Sequence, residues 1–447
     1  MENKIFLRNV AVLVIPIALQ NLINAAVSAA DVIMLGRVSE YALSGASLGG
    51  QVQYIMMLIF FGLTSGASVL IAQYWGKKDM KSIEKVLGIA MRFALVIGML
   101  FTVAAFFFAE QIMYIYSNDA MVVSEGVKYI RIVCFSYIIF AFNMVYLNTM
   151  RSIERVVVST VVYSISLVVN IIVNALLIFG LLGLPKLGVV GAAIGTLVAR
   201  IIEFVIVLIY DRRFNKVLKF RLSYLFERDK VLLRDFIVFS IPVVINELMW
   251  GLGTSTNTGI LGNLGASVSA ASSVAQTLRQ LATVVSFGIA SAAAIMIGKV
   301  IGENKLKLAK EYGKRFIFLT LAAGVLGGLL ILAVRPIVLA VFALEPLTKK
   351  YMSMMMFVMS YFVVGQAFNT TIIVGILRAG GDTKFGLFLD VSTMWCCSIL
   401  IGYLAAFVWK LNVTVVFMIL MSDEIIKIPI SYMRYRSGKW LRNVTRD

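Results

Sequence analysis

Twelve predominantly apolar stretches of about twenty residues or more follow one another along the 447-residue chain. They lie at approximately 8–36, 44–74, 86–109, 127–150, 156–182, 188–210, 235–262, 268–298, 315–342, 351–377, 384–409 and 412–433. A stretch of that length crosses the hydrocarbon core as a helix, because lipid offers no partners for backbone N–H and C=O groups. The recurrence therefore predicts an all-α polytopic membrane protein with twelve transmembrane helices. Composition agrees: 60% of residues are hydrophobic and 14% are charged, far from soluble proportions. The first stretch has no small-residue cleavage site and many spans follow it, so it reads as a span and not as a removed signal peptide. Cys134, Cys396 and Cys397 all fall in apolar segments and read as packing residues, with no disulfide or metal framework. The chain has no histidine. No zinc, haem or triad constellation can be assembled, no cofactor is expected, and an enzyme is excluded; any proton coupling must run through Asp or Glu.

The net charge is +18, and its placement carries a topology. The N-terminus, the even-numbered loops and the C-terminal tail hold 29 Lys and Arg, eight of them between residues 211 and 234. The odd-numbered loops hold five: Arg37, Lys186, Lys349, Lys350 and Lys410. By the positive-inside rule both termini and the long central loop are cytoplasmic. The excess charge is thus a membrane-orientation signal, the bilayer is the partner, and no nucleic acid is implied.

The chain also repeats itself. A shift of 226 pairs Arg8 with Arg234, Pro16 with Pro242, Gly36 with Gly262, Gly62 with Gly288, Gly76 with Gly302 and Gly98 with Gly324; a shift of 227 pairs Arg151 with Arg378. Each half holds six spans, an even number, so the halves share an orientation and are related by a pseudo-twofold axis along the membrane normal. This predicts an N-lobe at 1–210, a linker at 211–234 and a C-lobe at 235–447 with a basic tail. Two lobes around a midplane site are what alternating access requires. Nothing in the chain resembles a selectivity filter.

Within the first span, Pro16, Gln20, Asn24 and Asp31 fall within about 80° of one another on a helical wheel. An ionised carboxylate at mid-membrane costs at least about 2.5–3.5 kcal/mol, so Asp31 is a functional candidate that must face a cavity or a partner. Pro16 removes a helix hydrogen bond and is a candidate hinge. The fifth span carries a second stripe, Ser159, Tyr163, Ser166, Asn170 and Asn174; read without further context, it is interhelical hydrogen bonding.

Several pieces of the chain are similar to the multidrug and toxic compound extrusion (MATE) family of secondary antiporters, particularly its bacterial members. They are the Pro16–Asp31 pattern, Gly191-Ala-Ala-Ile-Gly-Thr196, Ile241-Pro-Val-Val-Ile-Asn-Glu247 and Gly375-Ile-Leu-Arg-Ala-Gly-Gly-Asp-Thr383. The resemblance covers nearly the whole chain. It implies two six-helix bundles around a central cavity, a monomer in the bacterial inner membrane, and export of small amphipathic, often cationic organic compounds driven by Na+ or H+. It further implies a coupling site at Asp31, Asn170, Asn174 and Thr196. Some relatives carry an acid where Asn174 stands, so the set here is one carboxylate with neutral oxygens. Such oxygens suit Na+ as a hard cation, and a lone protonatable Asp31 serves H+ equally well.

Glu247 lies about eleven residues into the seventh span. It aligns with Asn21 in the repeat, and the counterpart of Asp31 is Asn257. Two readings stand side by side for Glu247: a structural salt bridge with Arg279, or a coupling or substrate-binding role. Gln20, Asn24, Tyr163, Asn246, Asn257, Asn369 and Asp390 are the further candidates for the cavity or a second coupling site, and no carboxylate stands in the tenth span at Gly365–Asn369. Arg200 and Glu203, three apart, are expected to pair. Asp382 reads as a helix cap. The cluster Met352, Met354, Met355, Met356 and Met359 reads as lipid-facing and packing surface. A lipid-linked sugar flippase of the same general fold is the rival within transport, and it calls for a strongly cationic cavity. A receptor or scaffold would leave the paired lobes and buried acids without a task.

Overall fold

Long apolar runs with few breakers produce long helices. The structure, a computed structural model, describes residues 2–341 and 345–446, with side chains from Lys4. Among the described residues there are sixteen α-helices. The first eight are α1 (Glu2–Gly36), α2 (Glu40–Lys77), α3 (Met80–Phe107), α4 (Ala109–Tyr116), α5 (Ala120–Val133), α6 (Ser136–Ser152), α7 (Val156–Phe179) and α8 (Val189–Ile209). Then come α9 (Lys230–Asn263), α10 (Ala266–Gly302), α11 (Leu306–Val341), α12 (Pro346–Thr370), α13 (Thr383–Val391), α14 (Leu400–Tyr403), α15 (Val413–Leu420) and α16 (Asp423–Arg436). Wider, π-helical turns at Thr371–Leu377, Ser392–Ile399 and Leu404–Val408 carry α12 and α13–α14 onward as longer rods.

Among the described residues ten helical segments are long and apolar enough to cross a membrane, and α5 with α6, bent by 54°, makes an eleventh when counted as one span. The stretch expected as a twelfth span, 412–433, is broken at Met421–Ser422 into α15 and α16. Its second half carries Asp423, Glu424 and Lys427. The structure thus has the all-helical, polytopic architecture that the apolar runs predict.

Local geometry reproduces the repeat. Lys78 and Asn304, 226 apart, both take positive φ in the turns that follow α2 and α10. Glu154 and Gly381, 227 apart, do the same. The turn closures also match: the Arg155 N–H donates to the Met150 carbonyl at 2.8 Å, and the Asp382 N–H to the Leu377 carbonyl at 2.9 Å.

The chain forms two compact units, one of Leu19–Ala67 with Asp79–Ile237, the other of Met1–Ala18, Ser68–Lys78 and Val238–Asp447. In the first unit the 211–234 segment is laid down against helices rather than left loose. Asp211 accepts hydrogen bonds from the Tyr146 hydroxyl and the Phe220 N–H, both at 2.9 Å. A methyl on Gly88 would lie 2.2 Å from the Tyr224 carbonyl oxygen, so α3 and this segment are in backbone contact. Asp229 caps α9 through the Val231 and Leu232 N–H groups and bonds Lys85 at 3.0 Å. The Leu232 N–H first, and Lys85 with it, hold the Asp229 carboxyl below its usual range.

In the second unit, Met352, Met355, Met356 and Met359 are fully buried in a core with Phe362, Val363 and Phe417. The lipid-facing part of the reading for this cluster is therefore corrected. Methionine's flexible thioether fills an irregular interior here. The ends of α2 and α10 cross at their paired glycines. A methyl on Gly76 would lie 1.9 Å from the Lys299 carbonyl oxygen, and one on Gly302 would lie 1.8 Å from that of Gln73. Residues 73 and 299 are themselves 226 apart, so the contact is symmetric. A stretch at Lys439–Arg446 then packs beside α2: Gln73 donates to the carbonyls of Ala379 (2.8 Å) and Arg442 (3.1 Å) and accepts from the Val444 N–H (2.8 Å).

Asp382 stands at the N-terminus of α13, but its side chain makes no cap hydrogen bond there. Its two oxygens take Nε and Nη2 of Arg434 at 2.7 and 3.0 Å. The guanidinium fork, a stronger partner than a backbone N–H, displaces the expected cap.

Candidate functional site

The polar stripe of α7 lies on its buried face: Ser159, Ser166, Asn170 and Asn174 are all buried, and Tyr163 is half-buried. The facing stripe of α1 meets it at two levels. At the first, the Gln20 amide donates to Ser159 Oγ (2.8 Å) and Thr160 Oγ1 (2.7 Å), and its oxygen accepts from Arg151 (2.6 Å). At the second, Asn174 Nδ2 donates to Asp31 Oδ1 at 2.6 Å and to Asn170 Oδ1 at 3.2 Å. Three turns of α1 separate the levels, which is why a wheel drawn from sequence places both on one face. Asn24 is exposed, and its carbonyl accepts from Ser28. The helix α1 continues through Pro16 without interruption.

The Gly191–Thr196 segment explains itself in α8. A methyl at Gly191 would lie 2.7–2.8 Å from the backbone of Leu177 and Ile178, and one at Gly195 would lie 1.8 Å from Asn174 Oδ1. Two glycines one turn apart thus bring α8 against α7, and the second makes room for the Asn174 amide. Thr196, the next residue, is buried beside the Tyr129 hydroxyl of α5. Arg200 and Glu203 pair as expected, at 2.8–2.9 Å, with Asn143 on the carboxylate at 3.3 Å and the guanidinium over the Phe140 ring at 4.9 Å.

The donor set at Asp31 is one carboxylate, two carboxamides and a hydroxyl nearby. Both Asn174 N–H groups are committed, while its Oδ1 is buried with no hydrogen-bond partner. A buried oxygen without a donor costs about 1–3 kcal/mol. A hard cation, or a proton on Asp31, is what such a set accommodates. Among the described residues no cluster of three or more His, Cys, Asp or Glu could hold a metal ion, so the fit rests on neutral oxygens around a single acid.

The second repeat is built differently. Glu247 does not pair with Arg279. Its Oε1 takes Arg378 Nη2 at 2.9 Å, whereas Arg279 bonds Gln276 Oε1 (2.7 Å) and Gln366 Oε1 (3.1 Å). Arg378 follows the π-helical turn after α12 and projects onto α9, as its repeat partner Arg151 projects onto Gln20; both ties join residues 131 apart. Asn246 Nδ2 donates to Asp390 Oδ2 at 3.0 Å. The other oxygen of Asp390 takes Lys427 at 3.2 Å, and Lys427 also meets Asp423 (2.9 Å) and Glu424 (3.3 Å). Asn369 donates to Glu424 Oε2 at 2.8 Å and accepts from Ser431 at 3.0 Å. Asn257 is buried in α9 with an unpartnered Oδ1. The structure thus joins three of the candidates, Asn246, Asp390 and Asn369, in one network, and adds Asp423, Glu424 and Lys427, which the sequence reading does not single out. Their spacing, three and four residues apart in an apolar context, was the available signal.

The MatE family model matches residues 16–176 and 242–404. A protein of Bacillus subtilis (strain 168) called "Uncharacterized transporter YisQ" is 23% identical over 415 residues, covering 92% of this chain and 90% of that one. "Probable multidrug resistance protein NorM" of Thermotoga maritima is 21% identical over 431 residues, covering 96% and 92%. Two solved structures share the fold at low identity. One is described as "Reverse polarity of binding pocket suggests different function of a MOP superfamily transporter from Pyrococcus furiosus Vc1 (DSM3638)" (TM-score 0.87, 18% identity, 96% of each chain). The other is an outward-facing multidrug resistance MATE family transporter (TM-score 0.86, 17% identity, 98% and 97%). With two repeats that each match the family model, the all-helical membrane fold and these relatives, the chain belongs to the MATE family: it is a membrane transporter, not an enzyme.

Proposed function

We propose that the protein is a secondary antiporter that exports small amphipathic, often cationic organic compounds in exchange for Na+ or H+ by alternating access between an N-lobe (1–210) and a C-lobe (235–447). The observation that carries this reading is the Asp31–Asn174–Asn170 arrangement with its unpartnered buried oxygen. Asp31 receives the coupling cation, Asn174 and Asn170 hold the carboxylate in place, and Thr196 completes the oxygen shell. Cation entry favours release of substrate by differential affinity for two conformations; a cation that bound both equally would drive nothing. The names of several relatives as multidrug resistance proteins support the substrate class. In proteoliposomes, an imposed inward Na+ or pH gradient should drive accumulation or efflux of a fluorescent organic cation. Transport unaffected by either gradient sinks the antiport reading.

The 29-to-5 charge asymmetry supports a plasma-membrane orientation with both termini cytoplasmic. In a cysteine-free background, a single cysteine at position 219 should react with an impermeant maleimide only after permeabilisation, and one at 186 should react in intact cells. The opposite pattern inverts the topology.

A further inference from the structure

We propose that Lys439–Arg446 is a latch: it clips the end of α2 to the second repeat and must let go each time the transporter opens on that side. The proposal rests on the alternating-access reading above, and the charge asymmetry makes this side the cytoplasmic one. α2 is one unbroken helix, Glu40–Lys77, yet it is divided between the two compact units. Its residues up to Ala67 belong to the first, and Ser68–Lys77 to the second. Any movement of one unit against the other therefore has to bend α2 or lift this end from the second unit. α1, divided after Ala18, has Pro16 beside the division; α2 has no proline.

Two sets of contacts hold that end. One is the glycine crossing with α10, where a methyl on Gly298 would also lie 2.8 Å from that of Ala72. The other is the strap formed by Lys439–Arg446. Beyond its three bonds with Gln73, the Tyr74 hydroxyl accepts from the Arg446 N–H at 3.2 Å, and Lys77 Nζ donates to the Arg446 carbonyl at 2.7 Å. The strap is itself anchored on the second repeat. Trp440 is fully buried, its ring is stacked on Tyr435 with centroids 5.8 Å apart, and its Nε1 donates to the Tyr435 carbonyl at 2.9 Å. A methyl on Gly380 would lie 1.6 Å from the Trp440 carbonyl oxygen, so strap backbone rests directly on the turn after α12. The Tyr435 hydroxyl donates to the Lys310 carbonyl of α11 at 3.2 Å. The anchor is thus a buried aromatic, whereas the hooks on α2 are hydrogen bonds that are each modest. The hooks at 442, 444 and 446 lie two to six residues from the anchor, so they meet α2 at high effective concentration and re-form after release. Lys77 and Arg446 are exposed, which leaves the outermost hook open to water.

Efflux and thiol accessibility test the latch separately. In a cysteine-free background, Lys77→Cys and Arg446→Cys are joined by a short, reducible bifunctional methanethiosulfonate. The tie should cut gradient-driven efflux by on the order of tenfold or more, and reductant should restore it. The same tie across Lys85→Cys and Asp229→Cys, whose native side chains pair within the first unit at 3.0 Å, should leave efflux unchanged. The second measurement needs no transport. Ala72→Cys, at the crossing with Gly298, should react with a maleimide on the order of tenfold faster when Trp440→Ala frees the strap. If Trp440→Ala does not fold, Val444→Pro, which removes the N–H that Gln73 accepts, serves in its place with the same expected gain. Efflux that continues through the 77–446 tie overturns the proposal. So does equal arrest by both ties, and so does an Ala72→Cys thiol that stays as protected in the folded strap variant as in its parent. Absence of gradient-driven efflux before any tie is made counts against antiport, and the accessibility measurement then decides the latch alone.

Discussion

Asp31→Asn should abolish gradient-driven efflux while leaving the protein folded and inserted. Rate should fall by on the order of 100-fold, the upper part of what a single coupling free energy supplies, and so toward the background of protein-free vesicles. Folding should survive because an amide in the same place removes a buried charge. Its oxygen can still accept from Asn174 Nδ2, which now sits 2.6 Å from Asp31 Oδ1. What is lost is the charge that holds a cation or the group that takes a proton. Binding of a fluorescent organic cation, measured at equilibrium, should change little, because the substitution removes the coupling and not the cavity. Efflux at the wild-type rate would move the coupling site elsewhere, and the second repeat's acids would be the first place to look.

Glu247→Gln should lower the amount of folded protein sharply, and Arg378→Gln in the same molecule should restore it. Arg378 is 5% exposed and its guanidinium lies 2.9 Å from the Glu247 carboxylate. Removing one member of such a pair costs about 3–5 kcal/mol, because the other charge stays buried, whereas replacing both is often near neutral. Against a total stability of about 5–15 kcal/mol the single change is large. The first repeat shows how a neutral partner can suffice: Arg151 is met by Gln20, whose own amide is fixed by Ser159 and Thr160. Glu247 stands to Arg378 as Gln20 stands to Arg151, but the residues a shift of 227 places opposite Ser159 and Thr160 are Gly386 and Leu387, which have no hydroxyl. Fluorescence size-exclusion profiles of the single and double variants, followed by transport, separate the outcomes. Normal levels of the single variant, or a double variant no better than the single, would remove the structural role and return Glu247 to the cavity.

The sequence reading succeeded where the chemistry is written along one helix. Helical periodicity puts Gln20 and Asp31 on one stripe and Asn170 and Asn174 on another; that Asp31 meets the two asparagines was implied by the family resemblance. The repeat was legible because glycine and proline are constrained by backbone and recur in register. Partners across helices were not legible. Arg279 and Arg378 are equally plausible mates for Glu247 on a hydropathy plot, and only the path of the chain after α12 chooses Arg378. Asp382 had the spacing of a cap, but Arg434, 52 residues later, claimed its oxygens. The charges of α16 were hidden by their position at the end of the least apolar span. Their partners, Asp390 and Asn369, lie on other helices and are supplied only by the fold.

The amide of Gln73 has a consequence for how the molecule is made. Its partners lie 306, 369 and 371 residues further along the chain, at Ala379, Arg442 and Val444. At a ribosomal rate of about 5–20 residues per second, the Val444 N–H arrives roughly 20–75 s after Gln73 has been synthesised. Throughout that interval the end of α2 must keep a carboxamide that its finished neighbours have not yet met, and the glycine contact with α10 waits as well. The first repeat therefore cannot be completed in the membrane before the second is made, although each repeats the other's pattern. The end of α2 is thus the part of the first repeat whose contacts are finished last, once the second repeat and the residues after it have been made.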